Sequence, residues 1–123
     1  MMKNDIKPGD VLLLSFPTHI PKGHEQEGKR PVVVVAVPKG PMRYPLIIVV
    51  PLTTRDGEWA NQNLNLYYRI PAGNGGLPKD SIALLDQIRA VDVERIESFI
   101  GSLRGDILDS IIRNLIHIFQ ANR

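Results

Sequence analysis

Residues 32–37 (VVVVAV) and 46–52 (LIIVVPL) limit most severely what this chain can become. Each is apolar at consecutive positions rather than at alternate ones. A strand of that kind has no face to give to water and has to be covered on both sides. Both runs are bounded by prolines, at Pro31 and Pro38 and at Pro45, and both are far too short to span a bilayer. Two central strands covered from above and below are therefore expected.

The remaining segments supply the cover. Lys7-Pro8-Gly9-Asp10 reads as a turn, and residues 11–16 after it as a short strand. Residues 17–28 form a polar loop punctuated by Pro and Gly, and residues 53–63 a second long polar loop that holds the only tryptophan, Trp59. From Leu64 to Ile70 apolar and polar residues alternate, which predicts a half-exposed strand. Gly73 to Gly76 reads as a turn, residues 81–85 and 87–91 as two further strands, and residues 92–97 as a helical turn. The period then changes. Ile107, Leu108, Ile111, Ile112, Leu115, Ile116 and Phe119 recur at three and four, predicting one amphipathic helix over 107–119. Asp106 and Asp109 near its start suit the helix dipole. Four to six short strands followed by one helix predict a mainly β, α+β fold: a small barrel with the helix packed outside.

At 123 residues, with no repeat and no linker, a single domain spanning 1–123 is expected. A net charge of +2 permits a polyanionic partner without requiring one. The absence of cysteine excludes disulfides, thiolate zinc sites and a cysteine nucleophile. No apolar stretch follows the N-terminal Met-Met-Lys-Asn-Asp, so a cytoplasmic setting without membrane attachment is expected. His24-Glu25 lacks the second histidine of a metalloprotease helix, and His19, His24 and His117 are too scattered to suggest a metal site. The Gly73–Gly76 cluster lacks the Gly-Lys-Ser/Thr ending of a P-loop, and there is no Gly-x-Ser-x-Gly elbow. No metal and no cofactor are expected.

The polar segments at the strand ends are GHEQEGKRP, PLTTR and LLDQIRAVD. Arg30 stands at the junction of the first with its strand, where Pro31 biases it towards extended geometry. A guanidinium there is a forked, permanently charged donor suited to phosphate oxygens. Taken in order, KPGDVLLLSFP, GHEQEGKRPVVVV, IIVVPLTT, LPKDSIALLDQIRAVDVERI and IGSL with the terminal helix resemble the MazF/PemK (Kid) family of toxin endoribonucleases, from about Lys7 to Phe119.

That resemblance implies an SH3-like barrel, usually a homodimer, which cleaves single-stranded RNA sequence-selectively without metal and is inhibited by a small acidic antitoxin. It places the family's active-site arginine on Arg30 and its threonine on Thr53, with Thr54 beside it. The PemK/Kid branch also uses a loop histidine and a hairpin aspartate, which fall on His24 and Asp86. Its arginine two positions before that aspartate is Leu84 in this chain. Glu25, Gln26, Lys29, Lys79 and Gln87, with Thr54 and Asp86, complete the residues expected to hold RNA, along a groove shared by two subunits.

The chemistry agrees with these positions. Attack by the 2′-OH of RNA needs a base, a donor to the leaving oxygen and positive charge on the phosphorane. Arg30 and Thr53 fit the charge and the hydrogen bond. A guanidinium is a poor base, whereas a histidine such as His24 has an ordinary pKa of about 6.5. Other roles stay open: Asp86 paired with Arg89, Trp59, Tyr67 and Arg69 on bases or phosphate, or Trp59 as a cover over the barrel. A non-catalytic binding module on the same barrel, either a poison of a protein target or a degenerate toxin that binds only its antitoxin, is the alternative function.

Overall fold

The computed structural model describes residues 5–16 and 28–121. Among these residues seven strands and two helices follow one another: β1 Asp10–Phe16, β2 Gly28–Ala36, β3 Leu46–Thr53, α1 Trp59–Gln62, β4 Tyr67–Ile70, β5 Ser81–Leu84, β6 Arg89–Asp92, β7 Ile96–Ser102 and α2 Gly105–Gln120. The strands form one antiparallel sheet in the order β4-β5-β3-β2-β1-β7, with β6 paired to β3. The mainly β fold with a C-terminal helix is as expected, but the barrel is open, since the path ends on β4 and β7 without joining them. Register shifts between Val34 and Ala36 and within the β1–β7 pairing curl the sheet.

The two continuous apolar strands lie at the centre, as their composition requires. Alternation splits β2 between two cores. Val33 and Val35 join Val11, Val50, Leu52 and Leu85 under α2, while Val32 and Val34 join Leu12, Leu14, Phe16, Ile47, Val49 and Val91 inside the curl. The helix contributes Ile107, Ile111 and Leu115, spaced by one turn, and leaves Ile116 and Phe119 about half exposed. Its start is fixed by the Leu103 N–H donating to Gly9 O at 2.9 Å, beside the turn in which Asp10 is buried and accepts from Lys7 N–H and Ser102 Oγ.

The glycine cluster is a close-contact device. Gly76 has φ +75°, and a Cβ there would lie 2.5 Å from Ile100 O; one on Gly101 would lie 2.5 Å from Gly75 O. The Asn74–Gly76 turn therefore packs backbone to backbone against β7.

Several element boundaries differ from the sequence-based expectation. Residues 64–66 form a turn rather than a strand, because Asn63 O accepts from both Leu66 and Tyr67 N–H at 3.1 Å. Leu64, expected on an apolar face, is 66% exposed. Residues 85–87 make a single 3-10 turn, so the following strand starts at Arg89. The helical turn expected over 92–97 is confined to Val93–Arg95, with Asp92 accepting from Glu94 N–H, and gives way to β7. The loop at 53–63 holds the one-turn helix α1. No helix among the described residues is long and apolar enough to cross a membrane.

Candidate active site

The site begins where β2 and β3 part. Their ladder runs from Ala36–Ile48 to Val32–Pro51 and stops. Pro31 and Pro51 each lack a backbone N–H, so two donors are missing where the pairing ends. Two residues further along each strand stand Arg30 and Thr53, on the face that Val32 and Val34 present to the inner core. The strands therefore open a cleft of about 440 Å³, lined by Arg30, Thr53, Thr54 and Arg55. Thr53 is held by its pairing with Ile82 of β5 and by the Arg55 N–H, which donates to Thr53 Oγ1 at 3.1 Å.

Among the described residues the lining has two cations, two hydroxyls and no carboxylate, a composition suited to an anion. Two guanidinium groups can grip a phosphate and oppose the charge gained as phosphorus becomes five-coordinate, and the threonine hydroxyls can donate to the same oxygens. Arg55 was missed in the sequence, although PLTTR placed a cation two residues beyond Thr53.

The other predicted residues divide into four groups. Thr54 lines the cleft. His24, Glu25 and Gln26 lie outside the described residues. Lys29 is exposed on the opposite face of β2 from Arg30, and Lys79 is exposed in the loop before β5. Asp86 and Gln87 sit on the 3-10 turn at the other end of β5 from Ile82 and do not line the cleft. Asp86 accepts from Tyr67 Oη at 2.9 Å, a bond that with partial burial pushes the tyrosine pKa up and keeps the ring a phenol.

Arg89 does not pair with Asp86. Its guanidinium lies 5.0 Å over the Phe16 ring, and it faces the inner core side with its neighbour Val91. Leu84, the position of the missing arginine, is buried with Ala60 and Ile82 beneath Trp59 and Tyr67. The Trp59 and Tyr67 rings meet edge to face at 4.9 Å, so Trp59 acts here as a cover.

The family model for PemK-like, MazF-like toxins of type II toxin–antitoxin systems matches residues 7–119. The chain belongs to the PemK/MazF toxin family. Endoribonuclease EndoA of Bacillus subtilis (strain 168) is 31% identical over 106 residues, covering 86% of this chain and 87% of its own. MazF of Deinococcus radiodurans has the same fold, with a TM-score of 0.68 at 21% identity over 93% of this chain and 96% of its own. A mycobacterial endoribonuclease solved in complex with its cognate antitoxin follows, with a TM-score of 0.65 at 15% identity and 94% of both chains covered. The MazF-like architecture thus stands with β4 and β7 unpaired to each other, and two of the residues the family resemblance implicates, Arg30 and Thr53, line one cleft.

Proposed function

We propose that this chain is a single-domain, metal-independent endoribonuclease that cuts single-stranded RNA sequence-selectively, in the cytoplasm, and is neutralised by a small acidic antitoxin. The observation that supports it most is the cleft that gathers Arg30 and Thr53 with a second arginine, Arg55, and, among the described residues, no carboxylate. The EndoA relative is named for the same activity, and the mycobacterial relative was captured with its antitoxin.

In the proposed step the 2′-OH loses its proton to a base and its oxygen bonds to phosphorus. The P–O5′ bond breaks, and O5′ takes up a proton. The products are a 2′,3′-cyclic phosphate and a 5′-hydroxyl. Arg30 and Arg55 bind the non-bridging oxygens and Thr53 donates to one of them. His24, six residues before Arg30 in the sequence, is the candidate base. Purified protein incubated with mixed-sequence RNA in EDTA should cut it. Intact RNA at the end of that incubation would favour the non-catalytic binding module.

The working form is a homodimer with RNA along a groove between subunits. Ile116 and Phe119 on α2 and Phe99 on β7, all about half exposed, leave apolar surface for a second copy. Light scattering at micromolar concentration should give twice the chain mass. A monomer with full activity would contradict it.

A further inference from the structure

A second hollow adjoins the first. It encloses about 240 Å³ and shares Thr54 with the Arg30 cleft; Asp56, Arg69, Asp80 and Ser81 form its polar side and Ile70, Pro71 and Ile82 its apolar wall. The two are joined through the β3–β5 pairing, since Ile82 of the second hollow is the cross-strand partner of Thr53 in the first.

Their charges are opposite in kind. Among the described residues the first has two arginines and no carboxylate, whereas the second has one arginine against two aspartates. A phosphate is drawn to the first and repelled by the second. What the second can take from a bound strand is the uncharged part of a nucleotide.

Its polar groups are also fixed in place. Arg69 grips Asp56 through Nη1–Oδ2 at 2.8 Å and Nη2–Oδ1 at 2.9 Å, and Nη2 also donates to Asn61 Oδ1 at 2.9 Å. Three of the five guanidinium N–H groups are thereby used, and the other two have no partner among the described residues. Asp56 also accepts from Gly57 N–H at 2.7 Å, and these bonds hold its carboxyl below the usual range and ionised at neutral pH. Asp80 uses Oδ1 to accept from Ala72 N–H at 2.8 Å, which leaves Oδ2 as an acceptor.

We infer that this hollow is a specificity subsite for one unpaired nucleobase next to the scissile phosphate, with Asp80 accepting from and Arg69 donating to the base edge. Single-stranded RNA exposes such edges, on which an N–H donor lies beside a ring nitrogen or carbonyl acceptor. Pro71, the exposed residue of the apolar wall, takes the ring face, while Ile70 and Ile82 are buried behind it. Asp56 and Asn61 act as positioning residues that hold the Arg69 fork.

The inference rests on the nuclease reading, and the experiment separates the two. Cut sites are mapped by sequencing after limited digestion of a randomised RNA pool, with wild type, Asp80→Asn and Arg69→Lys. Asn at position 80 keeps the Oδ1 acceptor for Ala72 while adding a donor where the carboxylate only accepted. The expected result is a change of base preference of roughly ten-fold at one position within two nucleotides of the cut, and at no other. Arg69→Lys, which loses the fork, should alter the same position. Profiles that match wild type, or a loss of rate spread evenly over all sequences, would overturn the subsite. Wild-type protein that cuts nothing would defeat the nuclease reading itself, and this inference with it.

Discussion

Arg30→Ala should lower RNA cleavage by at least about a hundred- to a thousand-fold, the usual loss when one donor to a developing oxyanion is removed. The residue carries this weight because of its place. It continues the inner face of β2 past the last rung with β3, so its backbone is held by the sheet while its exposed side chain reaches the cleft. The permanent charge opposes the extra negative charge of the phosphorane, and the fork meets two oxygens together. Arg30→Lys should recover only part of the rate, since charge returns without the fork. Because Arg30 is exposed, the thermal midpoint of both variants should stay close to wild type. Thr53→Val, which removes one neutral donor, should cost less than Arg30→Ala. Full activity in the alanine variant would show that the phosphate is gripped elsewhere.

Ile111→Ala should act on stability in place of chemistry, lowering it by about 2–5 kcal/mol. Ile111 is fully buried and is the middle residue of the α2 face that closes the outer core against β2 and β3. Truncation removes apolar surface from burial and leaves a cavity that the rigid sheet beneath cannot fill. A domain of this kind has only about 5–15 kcal/mol in total, so the loss should appear as a clear drop in the urea midpoint. Phe119→Ser on the same helix, at a 57% exposed position, should change monomer stability far less. Equal effects at the two sites would mean that α2 does not pack as described.

The two central strands and the helix were legible in the sequence for physical reasons, whereas Arg30 and Thr53 were singled out together only by the family resemblance. Consecutive valines permit no solvent face, and residues repeating at three and four permit only one helix face to be buried. The strand β7 was not legible. It pairs only with β1, and Glu97, Ser98 and Phe99 are exposed, so burial imposes little pattern on it. The alternation at residues 64–66 was misleading because Asn63 closes a turn that competes with pairing. Long-range partners were hidden as well. Arg89 has Asp86 three residues away, yet the 3-10 turn between them sends one to Tyr67 and the other to Phe16. Arg69 finds Asp56 thirteen residues back, across the helix α1. No periodicity announces such a pair; only the folded sheet brings it together.

The most direct measurement uses an RNA whose cut site has been mapped, made again with a single 2′-deoxyribose on the 5′ side of the scissile phosphate. In EDTA, the all-ribose strand should be cut to a 2′,3′-cyclic phosphate and a 5′-hydroxyl, while the deoxy strand should bind and remain intact, having lost only the nucleophile. Cleavage of the deoxy strand at that position, or loss of all cleavage in EDTA, would contradict the account.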